Sequence, residues 1–276
     1  MAESNQFEFP PAPWRLIDDG AYPVQLGLAI DEMLLERMES RQHGQEMQNA
    51  IRFYQFAQPS VVVGCHQDIR EIDLGFIRSR NLQLGRRITG GGAIIMGIPR
   101  VDSQLGVSIL FRNVDAFPGK LGSRYAALSR PIVAALRQLG LPVAYQANSD
   151  ITLDGRKITG QAMFSTSSVI FMHSTVTIEY DLDTMLRVVN IPLTEKNRAT
   201  FSAKYTTIKS HVPDITMERV KNALRAGFER EFNARLVDSP LDEEEMRHAR
   251  RLLVEKHATD AYVLDIDGTK MGSCFL

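Results

Sequence analysis

The chain has 276 residues, enough for one large domain or two modest ones, and its 32 Lys plus Arg stand against 33 Asp plus Glu. That near-neutral balance argues against a nucleic-acid binder acting through bulk charge, which brings a clear basic excess, although it leaves a local basic patch open. A hydrophobic share of 44% and a charged share of 24% belong to an ordinary globular protein.

Residues 1–13 are polar and proline-rich and are expected to form a flexible N-terminal arm, leaving 14–276 as a single domain. Over residues 23–41, apolar groups at Leu26, Ile30, Met33, Leu34 and Met38 recur at helical spacing with one wet face. IRFYQF (51–56) and SVVVGC (60–65) read as strands parted by Pro59, and GVSILF (106–111) as another. A helix is expected over 123–139, with Pro131 early enough to start or kink it and Gly140 as its stop. The segment 149–164 reads as strand, tight Asp154-Gly155 turn, strand, and 167–180 as a third strand. Two helices follow, one capped by Thr216, the other by Ser239 with Pro240 at its first position. A hairpin around Asp267-Gly268 closes the chain.

Hairpins mixed with helices, without regular strand–helix alternation, predict an α+β fold: a mixed or antiparallel sheet with packed helices. Cys65 and Cys274 are isolated and no CxxC or Cys/His cluster is present, so neither a disulfide framework nor a structural zinc site is expected. The opening residues lack a secretory pattern, and no apolar run is long enough to span a bilayer. A cytoplasmic protein is expected.

GRRITGGGAIIMG (85–97) sets two arginines beside three glycines. Gly90, Gly91 and Gly92 can take positive φ and let backbone N–H groups close on an anion. Arg86 and Arg87 lie on an expected strand, so they face opposite ways and one points towards the loop. The stretch lacks the Gly-Lys-Ser/Thr of a phosphate-binding loop and the GxGxxG of a dinucleotide fold. Alone, it reads better as a glycine-rich hairpin with two solvated arginines. GRKITGQA (155–162) is a second such segment, with Arg156 and Lys157 after a tight turn and Gly160 on the strand that follows.

Together the two segments resemble the lipoate–protein ligase A family, within the superfamily of biotin and lipoate ligases and octanoyltransferases. RRITGGGAIIMG stands where that family has RRxxGGGAV, NSD (148–150) where it has Asn-Asp, GRKITGQA where it has G-x-K-[IV]-x-G-x-A, and His173-Ser174-Thr175 where it has His-Gly-[ST]. The likeness covers most of residues 14–264 and implies the fold of that superfamily's catalytic domain. It implies ATP-dependent activation of lipoate or octanoate to an acyl-adenylate such as lipoyl-AMP, with Mg²⁺ accompanying the ATP, then transfer to a lysine of a lipoyl carrier domain. On this reading Lys157 is the catalytic cation between carboxylate and α-phosphate, a preorganised electrostatic role. Arg87, Gly90, Gly91, Gly92, Ala93, Asp150, Gly160, Ala162 and His173 bind substrate or adenylate. An acyl slot is guessed at Val62, Val63, Ile94 and the sheet near Ala162, with His66 at the mouth. A basic rim near Arg156 and Lys209 would guide an acidic carrier. No metal ligand is assigned, and neither nucleic acid nor membrane is an expected partner.

The sequence departs from that pattern at Ile95-Met96-Gly97, where the family has an aromatic followed by His-Asp. It ends soon after the terminal hairpin, without the accessory domain many lipoate ligases carry, so a separate subunit is one expectation. The rival activity is octanoyl or lipoyl transfer without ATP. Branches of the superfamily that work through an enzyme thioester place a cysteine just before the lysine hairpin or after the His-Gly strand. AYQANSD (144–150) and NIPLTEK (190–196) contain none. Cys65, behind an apolar strand, reads as a small core residue. A non-catalytic lipoyl-binding module is the third reading.

Overall fold

An eight-stranded mixed sheet carries the molecule, which the computed structural model describes over residues 8–40, 49–112, 121–146 and 150–264. In chain order the elements are β1 (Ala12–Tyr22), α1 (Val24–Glu39), β2 (Ala50–Phe56), β3 (Ser60–Val63), α2 (Leu74–Ser79), β4 (Gln83–Arg86), β5 (Ile94–Met96) and β6 (Gln104–Arg112). These are followed by α3 (Leu121–Gln138), β7 (Ala144–Gln146), β8 (Asp150–Leu153), β9 (Arg156–Ser165), β10 (Val169–Thr177), α4 (Leu182–Val188) and α5 (Glu195–Ser202). Last come α6 (Met217–Glu231), β11 (Ala234–Asp238), α7 (Glu243–Leu252) and α8 (Asp260–Val263). The large sheet has the order β11-β1-β2-β6-β10-β9-β8-β7, and a small sheet has the order β4-β3-β5. Strand β1 runs parallel to β2 and β11, while β2, β6, β10, β9, β8 and β7 pair antiparallel in turn. This is the mixed sheet with packed helices that the pattern predicts.

Alternation along the strands explains the layering. One face presents Ile51, Phe53, Val107 and Ile170 to Leu128 and Ile132 of α3 and to Leu224 and Phe228 of α6. The opposite face sets Leu110 and Phe171 against Ile30, Met33 and Leu34 of α1. The same stripe of α1 is the one its apolar spacing picks out. Beside α1, the small sheet buries Val61, Val63 and Ile95 against Ile72, Ile77 and Val188. The site lies where this small sheet faces the large one.

Several boundaries differ from expectation. The expected arm falls outside the described residues up to residue 7, but Phe9 is buried, edge-on to Phe111 and close to the Trp14 and Phe232 rings. Composition hid this because two phenylalanines in a polar stretch set no period that singles out Phe9. The last long helix starts at Asp242, not Ser239, because Asp242 and Glu245 form a reciprocal capping box. Ser239 instead continues from β11, its N–H bonded to Leu16 O, and the Arg15 guanidinium holds the carbonyls of Ser239 and Pro240. Pro131 sits inside α3. Thr216 caps α6 as expected, its hydroxyl accepting from the Arg219 N–H. Asp154 and Gly155 both take positive φ, as a two-residue hairpin turn requires. The hairpin expected around Asp267-Gly268 and the residue Cys274 lie outside the described residues.

Candidate active site

Cross-strand register builds the floor of the site. On the face towards the small sheet, Tyr54 of β2, Gly106 of β6, Thr175 of β10, Gly160 of β9 and Asp150 of β8 lie side by side in one row. The next row holds Arg52, Ser108, His173 and Ala162. Lys157 would point to the other face by simple alternation from Gly160. A register shift between β8 and β9 inserts one extra residue there, with Ile151 opposite Thr159 and Thr152 opposite Lys157. Such a bulge re-aims the side chains around it, and Lys157 turns onto the face that carries Gly160. Its backbone is also pinned by residues 204–206: Lys157 N–H bonds to Lys204 O at 2.7 Å, and Thr206 N–H bonds to Lys157 O at 2.9 Å.

From there the Lys157 stem lies across Gly160. A Cβ placed on Gly160 would be 2.9 Å from Lys157 Cε and 3.0 Å from Nζ. The ammonium then meets Asp150 Oδ1 at 2.7 Å. Both side chains keep about a third of their surface in solvent, at 35% and 32%, so the pair orients the ammonium and adds little to stability. Gly160→Ala is therefore expected to leave the melting temperature nearly unchanged, because only the flexible end of Lys157 must move. It is expected to lower turnover about tenfold or more, since an ångström of misplacement is enough for that. Thermal unfolding measured beside steady-state kinetics checks both halves.

A cavity of about 270 Å³ opens beside Lys157. Gly92, Ala93, Ile94 and Ile95 of the small-sheet side form one wall, and Gln104, Gly160, Thr175 and Thr177 of the large sheet form the other. Tyr180, Met185, Tyr205 and Thr206 close it. Tyr180 and Tyr205 stack with ring centroids 6.1 Å apart, and Phe201 continues the stack. Burial pushes the Tyr180 hydroxyl pKa well up, so it stays protonated. Gln104 seals one side, its amide N–H groups donating to Ile98 O and Glu179 O.

The two arginines diverge as strand geometry requires, and both are buried. Arg86 donates to the carbonyls of Gly64 and Gln67 on one side and Tyr262 and Val263 on the other, tying α8 to the loop after β3. Arg87 turns to the glycine loop. Its guanidinium donates to Gly90 O at 2.7 Å, Gly92 O at 3.0 Å and Val62 O at 3.3 Å. Burial pushes its pKa down to about 10, which keeps it charged at neutral pH. Arg87 thus braces the loop from behind and does not line the cavity.

The structure brings Gly92, Ala93, Lys157 and Gly160 together around the cavity, with Asp150 on the lysine. Gly90 and Gly91 lie in the same loop, and Gly91 has φ +97°. Ala162 pairs with His173 one row away. His173 is buried behind the glycine loop, its Nε2 2.6 Å from Thr89 Oγ1. Of the guessed acyl slot, Ile94 and the sheet beside Ala162, at Gly160, line the cavity, and Ala162 itself does not. Val62 and Val63 are buried core, because both faces of their short strand are covered. His66 is exposed and outside the lining. Lys209, expected on a basic rim, is bonded to Glu179 at 3.0 Å.

Sequence reasoning missed Gln104, Thr177, Tyr180, Met185, Tyr205 and Thr206. The last four come from short segments around α4 and α5 that carry no long periodic pattern, and only the pairing of 204–206 with β9 delivers Tyr205 and Thr206. Missed too was the buried charge group behind the site. Asp31 of α1 accepts from Arg52 at 2.7 Å and from Ser108, and Arg52 also bonds Asp19. Burial alone would raise Asp31, but the Arg52 charge and His173 outweigh it and hold the carboxyl below its usual range. Breaking such a pair typically costs about 3–5 kcal/mol, which fixes α1 on the sheet. Among the described residues no group of three or more His, Cys, Asp and Glu is placed to hold a metal ion, and no helix is long and apolar enough to cross a membrane.

The family profile described as the lipoyl protein ligase A/B catalytic domain matches residues 23–229. Octanoyltransferase LipM of Symbiobacterium thermophilum is 27% identical, over 90% of this chain and 96% of that protein. The protein of the same name from Moorella thermoacetica is 28% identical, over 91% and 98%. Among solved structures, a bi-partite lipoate protein ligase from Thermoplasma acidophilum superposes with a TM-score of 0.80 at 23% identity, over 93% of this chain and 97% of that one. A lipoate-protein ligase A bound with ATP gives 0.78 at 23% identity, over 92% and 99%. At that identity the structural likeness speaks for the fold.

Proposed function

Because the chain belongs to the lipoyl protein ligase A/B catalytic-domain family, we propose that it is an octanoyltransferase, moving an octanoyl or lipoyl group from a thioester donor to a lysine of a lipoyl carrier domain. The observation that carries this reading is the single ammonium of Lys157, bent over Gly160 into the cavity. Among the described lining residues it is the one cation. Arg87 spends its described hydrogen bonds on carbonyl oxygens. A thioester presents a neutral carbonyl that needs one donor where the oxyanion develops. A triphosphate would bring several negative charges to a lining with one ammonium. The names of the relatives in full-length alignment point the same way.

In the proposed reaction the acceptor lysine amine attacks the acyl carbonyl carbon. The oxyanion forms against the Lys157 ammonium, which Asp150 holds in place. Collapse breaks the C–S bond, the thiolate takes the proton lost by the amine, and an amide remains. Holding donor and acceptor together in the groove supplies much of the rate.

Incubation with a lipoyl domain separates the readings. The octanoyl thioester of an acyl carrier protein is expected to give an octanoylated acceptor by mass spectrometry, and octanoate with ATP and Mg²⁺ none. Octanoylation in the second arm alone would establish the ligase instead. Cys65 is only 6% exposed and absent from the cavity lining. Cys65→Ser is therefore expected to keep the transfer rate within about twofold, as a substitution away from the reacting atoms does. A rate that collapses, with an octanoyl thioester trapped on Cys65 of the parent protein, would replace direct transfer by a two-step route.

A further inference from the structure

Behind the glycine loop a buried row of polar groups has no part in the reaction just described. Arg52, Ser108 and His173 are lateral neighbours on β2, β6 and β10, and Asp31 of α1 sits over them. Ser108 Oγ donates to the Asp31 carboxylate at 3.1 Å, and Arg52 donates to it at 2.7 Å. Asp31 Oδ2 lies 3.9 Å from His173 Nδ1. On the far side of the same ring, Nε2 meets Thr89 Oγ1 at 2.6 Å. At 3.9 Å the carboxylate makes no hydrogen bond to Nδ1, so the one hydrogen bond of the ring is the short Nε2–Oγ1 contact with Thr89, which either tautomer can form.

This order of acid, imidazole and hydroxyl invites a nucleophilic reading, with Thr89 as the acyl carrier. Burial decides against it. Thr89 is 1% exposed and absent from the cavity lining. What Thr89 does touch is the loop itself: it is followed directly by Gly90–Gly92, and its carbonyl accepts from the Cys65 N–H at 2.9 Å. Glycines give that loop freedom that an ordered wall must surrender. Arg87 restrains it through carbonyls, and the His173–Thr89 bond is a side-chain restraint at its first residue.

We propose that His173 is a positioning residue, which fixes Thr89 and thereby holds Gly90–Ala93 as the wall of the site. Asp31, itself held by Ser108 and Arg52, lies beside the other ring nitrogen at 3.9 Å. The loss of this bond leaves the core packed and frees the wall. The inference rests on the acyl-transfer reading for its kinetic consequence, but its structural part stands without it.

The test compares Thr89→Val, which keeps the shape and removes the hydroxyl, with Thr89→Ser, which keeps the hydroxyl, and with His173→Asn, whose shorter side chain does not reach. Amide hydrogen exchange over residues 88–94 is expected to speed up about tenfold in Thr89→Val and His173→Asn. The kcat/KM for octanoyl transfer is expected to fall about tenfold in each, with the double variant no worse than either, as for two ends of one bond. Thr89→Ser restores both. Exchange unchanged in Thr89→Val overturns the proposal, whether or not the parent protein proves to be a transferase. An octanoyl ester mapped to Thr89 also overturns it, because the hydroxyl would then be the nucleophile.

Discussion

Lys157→Ala is expected to lower acyl-transfer kcat by about 10²–10³ while leaving the fold intact, the cost of removing one preorganised donor from an oxyanion site. The structural grounds are specific. The ammonium reaches the cavity because a bulge in β9 turns the side chain, residues 204–206 pin its backbone, and Gly160 leaves room for the stem. No buried group loses its partner in the variant, since Asp150 is partly exposed and can be hydrated. Lys157→Arg is expected to recover little, because the planar, longer guanidinium cannot follow the same path over Gly160. Steady-state kinetics with an octanoyl thioester, beside the melting temperature, checks the prediction. A kcat within threefold or so of the parent would remove Lys157 from the reaction and with it the proposed use of the cavity.

The second large effect is expected at Gly64, which sits outside the cavity. Gly64 and Gly91 pack backbone against backbone, and a Cβ at Gly64 would fall inside the carbonyl oxygen of Gly91. A flexible side chain could step aside, as Lys157 does for a Cβ at Gly160, but here the obstacle is main chain. The carbonyl of Gly64 is also held by Arg86, and the loop carrying Gly91 by Arg87, so neither partner can yield cheaply. Gly64→Ala is expected to cost about 1–3 kcal/mol, the range for overpacking. It is also expected to displace the glycine loop enough to remove most activity. Urea unfolding and kinetics on the same preparation test this. Full activity at parental stability would mean that the loop tolerates a shift, contrary to the restraint its hydrogen bonds impose.

The contrast between Gly160 and Gly64 shows what sequence does not reveal. Both are glycines in or next to a strand, yet one accommodates a side chain and the other a backbone. Gly160 stands in a recognisable segment, GRKITGQA. Gly64 stands in an ordinary-looking VVVGC, and its partner is 27 residues further on.

Some features needed only local chemistry and so were legible in the chain itself. The apolar stripe of α1, the Asp154-Gly155 hairpin, the Thr216 cap and the mixed α+β character follow from periodicity and turn preferences. The opposed directions of Arg86 and Arg87 follow from strand geometry, and RRITGGG with GRKITGQA carried the family. The tertiary structure alone decided which positions meet. It turned Lys157 by a bulge that depends on a register shift, brought Tyr205 and Thr206 to the cavity by pairing with β9, and placed Asp31, Arg52, Ser108 and His173 in one buried group. It also gave Arg87 to loop carbonyls and put Val62 and Val63 in the core. Local propensity fixes how a segment folds, whereas contact across strands depends on register and layer order, which no single segment encodes.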